Sequence, residues 1–437
     1  MAMTLDIAYA IGAVLSCPVW ALRLLRTGKW RTDWAARFGR GDFTAEPAPD
    51  RKALLIHAVS VGEVNAVRLL VEQLAQRAPR VRLIVSATTD TGMARAKELF
   101  EPQCNVVRYP FDFSVSVDRF LDRVCPNAVA LVENEVWPNF TGRCTRRGIH
   151  VCVINGRIAE RSYRRYRLVR PIAAAMYRRL DAVAAQTPAY ARRFEALGAP
   201  ADRVSVLDTM KWDTAQVTDA VEDADELGTQ MGIDRDRPIV VLGSTGEGEE
   251  RMLLDALKST LPPQAQIIVV PRKPERFNEV AQIDPAIVRR TQCTPGARCP
   301  APGARLFLLD TMGELAKAYR LADVVIIGRS FNGWGGSDPI EPIALGKATI
   351  IGPDHHNFAD AVDALRQGGG IVECDTPAGA AEAVSNLLAN GAAASQLAEA
   401  GRKVILSRQG ATARHADLLL RLLGEPSETG ARNPKRE

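Results

Sequence analysis

Short apolar runs and longer amphipathic stretches alternate along most of this chain. ALLIHA (53–58), RLIVSA (82–87), CNVVRY (104–109), AVALV (128–132), HVCVIN (150–155) and DAVAA (181–185) are almost continuously apolar, and helix-like segments such as 65–77 and 90–99 lie between some of them. Apolar strands separated by helices predict a parallel sheet covered on both faces. An acidic, polar stretch at 218–235 interrupts the pattern. It then restarts with PIVVLGS (238–244), QIIVVP (266–271), RLFLLD (305–310), DVVIIG (323–328), ATIIG (348–352) and GGIV (369–372). The expected architecture is α/β, with Rossmann-like domains at 40–217 and 236–423 facing across a cleft. The stretch 218–235 would be their linker, and 424–437 a polar, disordered tail. A length of 437 residues suits two such domains.

The start of the chain departs from this beat. Residues 7–22 carry no charge, and Arg23, Arg26, Lys29 and Arg31 follow them. Sixteen apolar residues fall short of the roughly 20 that span a bilayer. Positive charge after the run keeps the remainder of the chain on the cytoplasmic side. Residues 1–30 are therefore expected to form a short membrane-anchor or embedded helix with a basic flank.

Composition narrows the chemistry. The net charge of +5 is mild, but eight arginines fall within 157–179, Arg157, Arg161, Arg164 and Arg165 among them. They suit phosphates or an anionic membrane surface, or form a solvated helix face. No aromatic residues are interleaved in a nucleic-acid-binding pattern. The eight cysteines show no CxxC spacing and the five histidines no HExxH, so no metal site is expected, and the cysteines read as free thiols, mostly buried, in a reducing compartment. Neither half has GxGxxG after its first strand, and GxxxxGK[ST] is absent, which disfavours nicotinamide, flavin and P-loop chemistry.

Four stretches lie just after expected strands, where open α/β sheets bind ligands. In HAVSVGEVNA (57–66), Glu63 stands at a helix start, either as a general base or as an acid favoured by the helix dipole. In LVENEVWPNF (131–140), Glu133 and Glu135 end an apolar strand, either as functional acids or as solvated loop residues. If the two strands are neighbours, Glu63 and Glu133 make a carboxylate pair, one raising the pKa of the other. In GSTGEGEE (243–250), Ser244 and Thr245 are placed to cap the next helix, whose N–H groups suit an anion. Arg272 follows the next strand as a phosphate fork or a salt-bridge partner. In 328–353, Gly335, Gly336, Ser337 and Asp338 precede a helix as an anion nest or an ordinary turn, and Glu341 could hold two ribose hydroxyls.

These pieces, in this order, closely resemble the bacterial Kdo (3-deoxy-D-manno-octulosonic acid) transferases of lipopolysaccharide synthesis. The resemblance runs from near the N-terminus to about residue 365, through IHAVSVGEV, the ExExWPN block at 133–139, INGRIAERS, AQTPAYARRFEALGA, LGSTGEGEE, VPRKPERF, LDTMGELAKAY and GGSDPIEPIALG. It implies a membrane-associated, metal-independent GT-B glycosyltransferase at the cytoplasmic side of the inner membrane. Such an enzyme transfers Kdo from CMP-Kdo, its nucleotide-sugar substrate, to a lipid A precursor (lipid IVA), and needs no cofactor. Glu63 matches the general base and Glu133 the second essential acid. Ser244, Arg272, Met312, Gly313, Glu314, the 335–338 turn and Glu341 fall among the donor-side elements. Lys211 matches a basic residue of the pattern.

The chain departs from that pattern on the donor side. Ser337-Asp338 stand where the family has His-Asn, Lys273 where it has His, Asp208-Thr209 where it has Gly-Asn, and Gly328-Arg329-Ser330 where it has Gly-Gly-Ser. The implied reaction is an inverting, in-line displacement with Glu63 as base, and with Arg272, Lys211 and the helix start near Ser337 on the leaving phosphate. The alternatives are a related GT-B transferase using another CMP- or UDP-sugar, and a non-catalytic glycolipid-binding descendant.

Overall fold

Every apolar run named above from residue 53 onward coincides with or touches a strand. The computed structural model describes residues 2–17, 22, 32–41, 51–101, 103–293 and 303–426, and its chain divides into two units, 1–214 with 410–437, and 215–409. The first sheet contains β1 (Ala53–Ala58), β2 (Arg82–Ala87), β3 (Asn105–Arg108), β4 (Ala128–Val132), β5 (His150–Gly156), β6 (Ala182–Ala185) and β7 (Val204–Val206). Their order is β3-β2-β1-β4-β5-β6-β7, every pair parallel. Side chains alternate across it: Ala53 and Leu55 enter one core, Leu54 and Ile56 the other.

The second sheet contains β8 (Ile239–Thr245), β9 (Gln266–Pro271), β10 (Val288–Arg289), β11 (Leu306–Leu308), β12 (Val324–Ile327), β13 (Ala348–Ile351) and β14 (Val372–Glu373). Its order is β10-β11-β9-β8-β12-β13-β14, again parallel. Strand order therefore reverses between β1 and β4 in one unit and between β8 and β12 in the other. These are the switch points at whose carboxyl ends ligands bind in such sheets.

Three boundaries differ from the sequence expectation. The helix Ala411–Leu423 belongs to the first unit, not the second: Ala416, Leu419, Leu420 and Leu423 pack into the core beneath β1 and β4. His415 fixes it there. Its Nε2 accepts the Asn155 N–H at 3.0 Å, so Nδ1 carries the proton and donates to the Ala411 carbonyl at 2.7 Å. Burial presses this imidazole down to about 4, which keeps it neutral. The acidic stretch at 218–235 is not merely a linker, because Ala224–Met231 is a helix whose Leu227 and Met231 are buried. Finally, the N-terminal helix Ala2–Leu15 has 14 residues, about 21 Å at 1.5 Å per residue, against a hydrocarbon core of about 30 Å. Among the described residues no helix is long and apolar enough to cross a membrane. Residues 18–21 and the basic flank at 23, 26, 29 and 31 lie outside the described residues, as do 427–437 of the expected tail.

The N-terminal helix is attached to the first unit by polar contacts. Asp6 accepts from the Ser114 N–H at 2.9 Å, from the Ser114 hydroxyl, and from the Asn139 amide at 2.9 Å, while the Tyr9 hydroxyl donates to Asp112 at 3.0 Å. Ile7, Ile11, Val14 and Leu15 on the same helix stay exposed. Of the described cysteines, Cys104, Cys144 and Cys152 are buried free thiols, Cys17 and Cys125 are exposed, and Cys293 is disulfide-bonded, contrary to an all-thiol reading.

Candidate active site

In the first unit, β1 and β4 are hydrogen-bonded neighbours, with His57 level with Leu131. This brings together the loops carrying Glu63 and Glu133, the pairing left conditional by the sequence. Ser60 begins the helix Val61–Ala66 from an extended conformation, so Glu63 falls in its first turn. There the carboxylate reaches back: Oε2 accepts the Val59 N–H at 2.8 Å and Oε1 accepts the Ser60 hydroxyl at 3.1 Å. Those bonds fix the side chain and favour its anion. Burial wins against them, and the fields of Glu133 and Glu135 add to it, so the Glu63 pKa is pushed up to about 7. A carboxyl half-ionised near neutrality is matched to proton abstraction. The sequence expectation assigned the shift to a neighbouring acid, whereas desolvation is the larger cause.

Glu133 follows β4 with φ of +58°, a left-handed conformation that costs a non-glycine residue about 1–3 kcal/mol. Its N–H donates to the Ile154 carbonyl at 3.0 Å, and its own carbonyl accepts the Arg157 N–H at 3.4 Å, so β5 holds the strained turn. Glu135 accepts the Trp137 indole N–H at 3.0 Å and is raised by burial despite that bond. Asn134 between them accepts the Tyr177 hydroxyl at 2.7 Å. Among the described residues, left-handed non-glycine residues recur at the ends of β4, β5, β7, β8 and β12, at Glu133, Asn155, Asp208, Ser244 and Arg329. Strain of this kind gathers where a site is held in shape.

The second unit gathers different chemistry. The carbonyl of Ser244, at the end of β8, accepts the Ser337 hydroxyl at 3.1 Å, and Gly328 donates its N–H to Gly243 at 2.8 Å. A Cβ on Gly328 would lie 2.7 Å from the Ser244 carbonyl oxygen, so only glycine lets the two loops close up. Ser244 does not cap the following helix as expected. That helix, Glu249–Thr260, starts at Gly248 without a side-chain cap, and the Thr245 hydroxyl donates to Glu250 at 2.7 Å.

The 335–337 turn is not an open anion nest. Its N–H groups are already donated: Gly335 to Asp354 at 2.8 Å, Gly336 to the Arg329 carbonyl at 2.7 Å, and Ser337 to the Gly328 carbonyl at 3.0 Å. Asp338 accepts the Ile340 N–H at 2.9 Å. Glu341 is pushed up to about 7 by burial and then by Asp338. Arg272 is exposed at the end of β9, and its backbone N–H reaches the Thr245 carbonyl at 3.2 Å. In the 312–314 turn Met312 is exposed and Gly313 has φ of +86°, while Glu314 accepts from Arg290 at 3.3 Å and from Thr311 at 2.5 Å.

Ser244, Arg272, Met312, Gly313, Glu314, Gly335, Gly336, Ser337, Asp338 and Glu341 thus share one unit and one sheet edge. Lys211, expected with them, is in the first unit at the start of the helix Lys211–Thr214. Arg161, Arg164 and Arg165 lie on the helix Glu160–Leu168, which buries no residue, and Arg164 pairs with Glu160 at 2.9 Å. Arg157 sits apart from them, half-buried beside Glu133.

Sequence reasoning passed over Glu249, which is fully buried. Its carboxylate accepts N–H groups of Gly246 at 3.0 Å, Arg329 at 2.5 Å, Ser330 at 2.9 Å and Phe331 at 3.1 Å. Helical spacing offered the signal, since Glu249 shares the apolar stripe of Leu253 and Leu257.

Two parallel sheets of this order, each with its polar groups gathered at a switch point, resemble solved glycosyltransferases of the two-domain type. One from Rickettsia africae is 11% identical with a TM-score of 0.57, covering 86% of this chain and 100% of that one. Sequence supplies the family. Residues 32–214 match the family model described as 3-Deoxy-D-manno-octulosonic-acid transferase (kdotransferase). A 3-deoxy-D-manno-octulosonic acid transferase of Bordetella pertussis is 33% identical over 420 residues, 93% of this chain and 96% of the relative. One of Haemophilus influenzae is 31% identical over 402 residues, 90% and 92%. The protein is a glycosyltransferase and belongs to the Kdo transferase family.

Proposed function

We propose that this enzyme transfers Kdo from CMP-Kdo to a lipid A precursor of the lipid IVA type with inversion at the anomeric carbon. The observation that carries this reading is the Glu63 carboxyl, held by Val59 and Ser60 and raised to about 7. An acceptor hydroxyl gives its proton to Glu63 as its oxygen attacks the anomeric carbon. The bond to the CMP phosphate breaks on the opposite face, which inverts configuration. Glu133, locked in its strained turn, positions the acceptor sugar. On the donor unit Arg272 meets the phosphate and Glu341 the ribose hydroxyls. Positive side chains take the place of a metal ion on the departing phosphate, so transfer persists in the presence of a chelator and without a cofactor.

The acceptor is a phosphorylated lipid, and the first unit has a surface suited to one. The segment around Glu160–Leu168 exposes Arg161, Arg164 and Arg165 together with Leu168, 85% exposed, and Val169 and Ile172. Apolar side chains among arginines suit the interface of an anionic membrane, and the exposed face of Ala2–Leu15 adds to that surface. The enzyme thus works at the cytoplasmic face of the inner membrane, resting on the bilayer. Purified protein incubated with CMP-Kdo and lipid IVA in mixed micelles should yield an acceptor heavier by one or more Kdo residues, with inverted linkage by NMR. No product with CMP-Kdo, but product with a UDP-sugar, would replace this donor assignment. The Ser337-Asp338 and Lys273 departures make that comparison necessary.

A further inference from the structure

Arg329 occupies a position where strain, buried support and unbalanced charge coincide. It follows β12 at the switch point of the second sheet, and its φ of +61° is one that glycine adopts freely and arginine does not. The protein holds the conformation from below: the buried carboxylate of Glu249 accepts the N–H groups of Arg329, Ser330 and Phe331. Asp354 N–H donates to the Ser330 carbonyl at 3.0 Å, which ties the loop after β13 to the same turn.

The side chain is directed as well. The guanidinium donates from Nη2 to the Trp334 carbonyl at 3.0 Å, and a Cβ on Gly246 would touch the arginine stem at 3.1 Å. Burial lowers the Arg329 pKa, and the field of Arg272 lowers it further, so the two cations feel each other. Neither forms an ion pair with a carboxylate among the described residues, and Glu249 and Asp354 reach the Arg329 guanidinium only through their fields. Two neighbouring guanidinium groups repel unless an anion joins them, and the paired fork of arginine suits an oxyanion. The N–H groups of 329–331 and 335–337 are already used within the protein, so at these turns the arginine side chains offer donors where the backbone does not.

We propose that Arg329 is a donor-binding residue that closes with Arg272 on an oxyanion of the nucleotide sugar. Glu249 acts as a positioning residue, setting the turn that presents Arg329. The oxyanion is the nucleotide phosphate or the carboxylate of the ulosonic sugar. The inference rests on the CMP-Kdo reading for the identity of the donor, but not for the presence of a phosphate.

The test is R329G, in which glycine fits the left-handed backbone and an unchanged melting temperature checks the fold. CMP and cytidine binding are measured by calorimetry, and donor KM and kcat by initial rates. Loss of one charge-assisted contact should weaken CMP binding about tenfold or more, leaving cytidine binding unchanged, if the phosphate is held. If the carboxylate is held instead, CMP binding stays and the KM for CMP-Kdo rises by about the same factor, with kcat nearly constant. R329K should recover part of either loss. Wild-type CMP affinity and wild-type donor KM in R329G would overturn the proposal. If the wild type binds UDP in place of CMP, weaker UDP binding by R329G still supports the clamp while the CMP-Kdo assignment falls. Binding of neither nucleotide by the wild type overturns both.

Discussion

The two units are both seven-stranded parallel sheets with one reversal of strand order, and they differ in what they place at that switch point. At the β1/β4 switch point the first unit gathers acids: Glu63 raised to about 7, Glu135 raised by burial, and Glu133 in a strained turn. At the β8/β12 switch point the second unit sets an exposed Arg272 and a half-buried Arg329 beside glycine-rich turns and keeps Glu249 buried as a brace. A desolvated carboxyl suits proton transfer, and arginines without a carboxylate partner among the described residues suit an anion. The comparison teaches that the parallel sheet supplies only an address, and that the loop residues at that address set the chemistry it can host.

The division of labour breaks most sharply if the two sides can be removed separately. E63Q keeps the Val59 and Ser60 neighbourhood but removes the carboxylate proposed as base. Transfer should fall on the order of a thousandfold, while CMP affinity stays within about twofold of wild type by calorimetry. R272A is the reverse experiment. It should weaken CMP binding by roughly 10- to 100-fold, the worth of a charge-assisted contact, and leave the pH dependence of kcat unchanged. G243A tests the packing beneath the donor loops. Its new Cβ would collide with the Tyr319 ring, and overpacking of that sort costs about 1–3 kcal/mol, read as a lower denaturation midpoint. The smallest effect is expected from E135Q. Removing a negative field lowers the Glu63 pKa, so the ascending limb of the rate profile should shift to lower pH by less than about one unit, or ~1.4 kcal/mol.

Most of the fold was legible because strands buried on both faces are written as unbroken apolar runs. The exceptions have the same physical origin. β7 and β10 are short, partly exposed edge strands, and VSV or VR carries no such signal. The amphipathic stripe of Ala411–Leu423 announces a helix but not which sheet it covers, and that choice is fixed by His415 meeting the Asn155 N–H. The acids of the first site were legible because each follows a strand, although their pairing needed the strand order. The donor side was less so. A glycine-rich turn suggests free N–H groups, yet those of 335–337 point into the protein. Arg329 stood out only as a departure from Gly-Gly-Ser until its backbone conformation and its Glu249 support were visible.

The central claim is that a half-buried Glu63 carboxyl, tuned to neutrality, drives transfer. The most direct test is the pH dependence of kcat at saturating CMP-Kdo, measured for wild type and for E341Q, since Glu341 is also raised to about 7. Because Glu63 must be ionised to accept a proton, kcat should climb with pH through about 7 and level off above it, and E341Q should keep that limb. A profile flat between roughly pH 5 and 8, a window that lies above an ordinary carboxyl and brackets one raised to about 7, or a limb that disappears in E341Q, would contradict it.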